Sequence, residues 1–275
     1  MSEPAGRASH PAQREPDGVV IEGLWEAYRK RNRFGWRRRG EVQWALREVD
    51  LAVAPSRMLG VVGGNGSGKT TLLQVVAGVL HPSRGRVATS GRVASLVDLS
   101  AGFHRDLTGH ENLLIGGVLL GMSRLEIRRR YDEIVAFSGL APDTLGWPLA
   151  AYSAGMGLRL GFALVSHSDP DVLLVDEVLA VGDEQFQHQC VDRVRELQAG
   201  GCAVMLVSHD LDLVAAHCDE VAVLDAGKVV HRGRAGEAVA WYRGRRPTLA
   251  PTPAAERNLY DPSWRVQAAR RRRGA

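Results

Sequence analysis

Short, fully apolar runs alternate along this chain with longer stretches in which apolar positions recur every three or four residues. Met58–Val62, Val172–Val175 and Ala203–Val207 are apolar or glycine throughout, as strands buried on both faces of a sheet must be. Val19–Leu24 and Val221–Leu224 read as further apolar strands. Trp44–Val53 alternates, and Arg86–Val97 and Lys228–His231 complete the strand candidates. Thr70–Val79, Glu111–Leu120, Arg124–Gly139, Ala150–Ser166, Gln185–Ala199 and Leu211–Cys218 carry the helical period. This alternation predicts an α/β chain whose parallel sheet is covered on both sides. No repeat of fixed period runs through it. No window reaches the ~18 consecutive apolar residues of a spanning helix. Leu113–Met122 and Val172–Val181 come nearest, and Asp176 and Glu177 interrupt the second.

Composition changes the picture at three points. Residues 1–17 are rich in Pro, Ala, Arg and Glu without an apolar stretch; a disordered tail is expected there, with no signal peptide. Residues 245–275 read as a second, basic tail. Cys190, Cys202 and Cys218 are the only cysteines, which excludes a disulfide scaffold and favours a reducing compartment. The formal charge of +4 conceals a pattern. Seven of 35 basic residues lie in Arg29–Arg39 and five in residues 265–275, neither stretch holding an acid, while the remainder sets 23 bases against 31 acids.

The chemistry begins where the strand Met58–Val62 meets glycines. Gly63-Gly64-Asn65-Gly66-Ser67-Gly68-Lys69-Thr70 fits G-x-x-x-x-G-K-[ST] between a strand and a helix, the context this phosphate-binding loop requires. Glycines let backbone N–H groups close around phosphate oxygens, and the helix N-terminus adds its dipole. Lys69 serves the β- and γ-phosphates and Thr70 a Mg²⁺ ion, with Thr71 following in the same turn. A second apolar strand, Val172–Val175, ends in Asp176 and Glu177. Adjacent carboxylates closing a buried strand are costly unless a cation or substrate uses them. Asp176 is expected to hold the metal's coordination sphere, and Glu177 to polarise the water that attacks the γ-phosphate, a general-base role worth ~10²–10⁴ in rate.

Twenty-three residues before Asp176 stands Ser153, in Tyr152-Ser153-Ala154-Gly155-Met156-Gly157-Leu158-Arg159. This segment resembles the signature motif of ABC-type ATPases. Ala180–Asp183 resembles their D-loop, and Ser208-His209 their switch-histidine loop. Val175–Phe186, Ala101–Asn112 and Tyr152–Met156 are similar to one branch in particular, the ATP-binding subunits that export lipid-linked polysaccharides, whose Val after the Asp-Glu pair is Val178 here. The resemblance spans roughly residues 18–244. It implies an ABC-type nucleotide-binding domain: a RecA-like phosphate-loop core with a parallel sheet, an antiparallel β subdomain at the N-terminus, and an inserted α-helical subdomain over about residues 105–165.

It also implies roles. His209 joins Lys69 and Glu177 as a catalytic residue. Two chains pair head to tail, so that Ser153, Ala154, Gly155, Met156 and Asp183 of one chain meet ATP held by the phosphate loop of the other. Hydrolysis of ATP, with Mg²⁺, then drives a separate transmembrane permease that moves an O-antigen, teichoic acid, galactan or capsule-type glycan across the membrane. The chain itself lies peripherally on the cytoplasmic face of the bacterial membrane. The family's adenine-stacking aromatic matches Tyr28 best, with Trp25 competing. Asp98 stands where the branch usually has a glutamate, either approaching the metal or capping the next segment. The basic stretch 29–40 falls where the branch carries a membrane-facing insertion. Its residues Arg33, Phe34, Trp36, Arg37, Arg38 and Arg39 suit anionic headgroups at ~1 kcal/mol per cation near the surface, or form a solvated basic hairpin. An exporter of a smaller lipid or natural product is the alternative. A nucleic-acid-acting relative is disfavoured, because the 83 residues between Lys69 and Ser153 leave no room for a long coiled coil. The 32 residues after Arg243 are too few for the carbohydrate-binding sandwich some members append.

Overall fold

The computed structural model describes residues 18–29, 42–96, 103–176 and 183–245. These residues form two sheets. The larger is six-stranded, in the order β5(Val93–Ser95), β6(Val172–Asp176), β7(Ala203–Val207), β3(Met58–Val62), β8(Glu220–Asp225), β9(Lys228–Arg234). All neighbours are parallel except β8 and β9. Register pairs Leu59 with Met205 and Leu173 with Val204. The smaller sheet is antiparallel, with β1(Val19–Arg29) between β2(Val42–Val53) and β4(Arg84–Thr89).

Every residue of β3 and β7 is buried, and successive side chains go to opposite faces. Met58, Val62, Leu173, Val175, Val204 and Leu206 face one core, shared with Phe162, Phe186, Cys190 and Val194. Leu59, Val61, Val172, Leu174, Met205 and Val207 face another, closed by Leu72, Leu73 and Val76 and by the inner face of the antiparallel sheet. The helices behind the first core are α4(Ala154–Ser166), α5(Glu184–Ala199), α6(Leu211–His217) and α7(Ala235–Gly244); α1(Lys69–Val76) belongs to the second. Burial pushes the thiols of Cys190, Cys202 and Cys218 up to about 12. They are free and buried, inert apolar fillers rather than nucleophiles.

A third core joins α2(Gly109–Leu119) and α3(Arg124–Ser138) to α4 through Leu113, Ile127, Ile134, Leu145, Leu160 and Leu164. The N-termini of α2 and α3 are fixed by reciprocal capping boxes, Thr108 with Glu111 and Ser123 with Glu126, each cap typically worth ~1 kcal/mol. Asn112 is fully buried. Its Oδ1 accepts from the His104 N–H, and its Nδ2 donates to the carbonyls of His104, Leu107 and Thr108, so one side chain folds the loop entering α2.

Two boundaries and one whole helix stand out against the sequence reading. β1 continues past Leu24 to Arg29 because Glu26–Arg29 keeps pairing with β2. α4 starts at Ala154, since Leu149–Ala151 closes a separate 3₁₀ turn and Ser153 caps the helix. α7 has no counterpart in the sequence reading: Gly236 and Gly244 within it and its uncapped start at Arg234 give weak local signals. Packing of Ala235, Ala238 and Val239 into the core makes it a helix.

Candidate active site

Three adjacent parallel strands bring the predicted chemistry to one edge. The carboxyl end of β3 leads into the phosphate loop, that of β6 carries Asp176, and that of β7 leads into Ser208 and His209. Ligands of open parallel sheets bind outside the carboxyl ends of strands, and here all three contributors share that edge.

The loop's shape is set by its backbone. Gly68 caps α1 with φ 107°, and a Cβ there would stand 2.5 Å from the Ala45 carbonyl oxygen. At Gly63 a Cβ would stand 2.1 Å from the Leu224 carbonyl oxygen. Both positions therefore exclude any side chain. Gly64 accepts from the Ser67 N–H at 3.2 Å, tightening the turn across Asn65 and Gly66. Lys69 Nζ donates back to the carbonyls of Gly63 at 2.9 Å and Gly64 at 3.1 Å. The ammonium is thus held inside the loop, and α1 contributes its N-terminus beside it. A cation held on two loop carbonyls at a helix N-terminus fits a polyphosphate. The Ser67 hydroxyl is buried, with no partner among the described residues.

Thr70, in the first turn of α1, donates its hydroxyl to Asp176 Oδ2 at 3.4 Å. A hydroxyl and a carboxylate side by side form a hard-oxygen pair suited to Mg²⁺. Among the described residues no cluster of three or more His, Cys, Asp or Glu could hold a metal by itself. The neighbouring hydroxyl, Thr71 Oγ1, shares a hydrogen bond of 3.1 Å with the phenol of Tyr28. That contact sets the Tyr28 ring, 46% exposed, beside the start of α1. Trp25 is engaged elsewhere, edge-on to Trp44 at 5.2 Å. His209 lies between β7 and α6. Ser208 Oγ accepts from the Asp210 N–H, and Asp210 caps α6 through the amides of Asp212 and Leu213, so the turn carrying His209 is held on both sides.

Ser153, Ala154, Gly155 and Met156 form the N-terminus of α4. Ser153 Oγ accepts from the Met156 N–H at 3.2 Å, while Ser153 and Ala154 are exposed. Asp183 caps α5 through the Phe186 N–H at 2.9 Å, and its other carboxylate oxygen accepts from Arg159 of α4. The Arg159 guanidinium also lies 4.6 Å from the Phe186 ring centroid. The sequence reading gave no role to this arginine, though it lies six residues after Ser153, on the helix Ser153 caps. Glu177, Asp98 and, from the basic stretch, Arg33, Phe34, Trp36, Arg37, Arg38 and Arg39 lie outside the described residues.

Fold and site together define a phosphate-loop nucleotide-binding cassette. The ABC transporter family model matches residues 46–180. The O-antigen export system ATP-binding protein RfbB of Myxococcus xanthus is 39% identical over 245 residues, covering 82% of this chain and 56% of that protein. The protein of the same name from Klebsiella pneumoniae is 38% identical over 205 residues, 74% of this chain and 83% of its own length. The teichoic acids export ATP-binding protein TagH of Lactiplantibacillus plantarum is 38% identical, over 79% of this chain and 59% of that one. The chain therefore spans little more than half the length of the Myxococcus and Lactiplantibacillus proteins. Among solved structures, an ATP-binding subunit of an ABC transporter superposes with a TM-score of 0.68 at 22% identity, covering 82% of this chain and 93% of that one. A dimeric post-hydrolysis state of the cassette MJ0796, bound to ADP and Pi, gives 0.66 at 20% identity, over 79% and 98% of the two chains. The chain belongs to the ABC transporter family, and its fold is that of the family's ATP-binding cassette.

Proposed function

We propose that this chain is the ATP-hydrolysing subunit of an exporter for lipid-linked polysaccharide of O-antigen, teichoic acid, galactan or capsule type, its cassette spanning residues 18–244. The observation that carries the reading is the shared sheet edge, where the phosphate loop, the Thr70–Asp176 pair and the His209 turn converge. The names of the export-system relatives supply the substrate class. Lys69 and the loop amides bind the phosphates, and Tyr28 receives the adenine. Thr70 and Asp176 would hold Mg²⁺, which would supply charge neutralisation to the bound phosphates. Glu177 accepts the proton of the attacking water, and His209 stands beside the γ-phosphate. Two chains pair head to tail, each presenting Ser153–Met156 to ATP on the other. The Arg159–Asp183 ion pair ties that presenting helix to the segment following Asp176 and Glu177 in the same chain.

No helix among the described residues is long and apolar enough to cross a membrane, and a separate permease forms the path. Its docking surface is α2, which exposes Leu114, Ile115, Val118 and Leu119 on one broad face. Reconstitution of the chain with its neighbouring membrane subunit in vesicles tests the reading. ATP-dependent movement of a lipid-linked glycan is expected, and ATP turnover without glycan movement overturns the substrate class. Val118→Asp with Leu119→Asp is expected to abolish co-purification with the permease while the isolated chain keeps its ATP turnover. Serine at Arg37, Arg38 and Arg39 is expected to lower transport at least several-fold more than ATP turnover; equal loss of both removes the headgroup role.

A further inference from the structure

The carboxyl end of α4 is held by arginines that α4 does not supply. Its own last turn carries no basic residue, yet helix C-termini, with their unpaired carbonyls and negative dipole end, call for cations. Two arrive from the sheet layer. Arg193 of α5 donates Nε and Nη2 to the Ser166 carbonyl at 3.2 and 3.1 Å. Arg92, immediately before β5, donates Nη1 to the Ser168 carbonyl. The same guanidinium reaches the turn between α2 and α3 at the Gly121 carbonyl, 2.9 Å away, and Glu126 Oε1 at 3.4 Å in the first turn of α3. The Arg92 backbone is pinned in turn. Its N–H donates to Asp171 Oδ2 at 2.6 Å, and its carbonyl accepts from the amides of Asp171 and Val172. One side chain, rooted at the edge of the sheet, therefore gathers all three helices of the helical layer.

The opposite end of α4 is different. Ser153 and Ala154 are exposed, and the Arg159–Asp183 pair engages the helix midway. The helix has 13 residues, which at ~1.5 Å per residue makes it about 20 Å long. Turning it by about 10° around its carboxyl end carries Ser153 through roughly 3 Å. That distance is the difference between a hydrogen bond and none.

We infer that Arg92, with Arg193, forms the pivot of α4 and is a positioning residue that sets where Ser153–Met156 stands relative to the cassette's own phosphate loop. The inference rests on the head-to-tail reading above for its functional consequence, and on the two arginine anchors for its mechanics. The fork of Arg92 is specific to the task, because a lysine places one ammonium where two separated nitrogens now serve two carbonyls.

The test uses the full chain carrying Arg92→Ala or Arg92→Lys, with Arg193→Ala as an independent disturbance of the same end should Arg92→Ala fail to fold. Four quantities are measured: amide hydrogen exchange, affinity for a fluorescent ATP analogue, ATP-driven self-association by sedimentation without divalent metal, and the thermal midpoint. In Arg92→Ala, amides 163–168 are expected to exchange about tenfold faster while those of the phosphate loop are unchanged. Analogue affinity should stay within about twofold and self-association should weaken about tenfold, well below the thermal midpoint. Arg92→Lys should recover part of the loss and not all of it. Unchanged exchange at 163–168, or loss of analogue affinity in step with self-association, overturns the pivot. If the native chain binds the analogue without self-associating, the head-to-tail reading fails on its own, and the exchange data still decide the pivot.

Discussion

Glu177→Gln is expected to bind ATP as tightly as the native chain and to turn it over at least about 100-fold more slowly, as loss of a general base requires. The substitution keeps the length and most of the shape of the side chain. It removes only the capacity to take a proton, so whatever the carboxylate does for binding survives. The neighbouring Asp176 provides the contrast. Its carboxylate meets the Thr70 hydroxyl across the gap between β6 and α1, the arrangement its proposed role on the metal, rather than on the water, requires. Asp176→Asn should therefore depend on Mg²⁺ concentration, with activity partly restored at high metal, whereas no Mg²⁺ concentration should rescue Glu177→Gln. Single-turnover hydrolysis with labelled ATP separates the two, and the slowed Glu177→Gln chain should hold its nucleotide as ATP. A Glu177→Gln chain that hydrolyses at the native rate removes the base assignment.

The phosphate loop and the strand ending at Asp176 were legible because their chemistry forces a local pattern. A phosphate loop needs glycine where a Cβ would strike a carbonyl oxygen, as at Gly63 and Gly68, and a buried strand tolerates terminal acids only for a purpose. The three apolar runs of the central strands were equally plain, since burial on both faces leaves no polar position to blur the run. What stayed hidden depends on partners distant in sequence. Arg92 lies 76 residues from Ser168, and no local feature marks an arginine as the cap of a helix in another layer. Asn112 could pass for any polar residue near a helix start, until its amide is seen folding the loop back from His104. α7 escaped for the converse reason: two glycines argue against a helix locally, and only the core side chains it covers argue for one. The sequence favoured Tyr28 over Trp25 as the stacking aromatic; in the fold Trp25 packs edge-on to Trp44 while the Tyr28 phenol meets Thr71.

Lys69→Ala carries the largest expected effect on binding. In the native loop the ammonium sits on the carbonyls of Gly63 and Gly64, already ordered, so a phosphate meets a cation that has no further side-chain freedom to lose. Removing it costs the charge-assisted contacts, ~1.5–3 kcal/mol each. It also leaves two carbonyl dipoles with no cation between them and an incoming polyanion. A loss on the order of 100-fold in ATP affinity follows at ~1.4 kcal/mol per tenfold. Lys69→Arg should not restore it: the guanidinium keeps the charge but is a wide planar fork, and the loop around it is closed by backbone at Gly63 and Gly68. The effect is expected to grow with the number of phosphates, because the lysine is proposed to serve the distal ones. Titration of Lys69→Ala with ATP, ADP and AMP should show the native preference for ATP over AMP collapsing, with AMP affinity nearly unchanged. An equal loss for all three nucleotides would mean that the substitution had deformed the loop, and the assignment of Lys69 to the β- and γ-phosphates would fall.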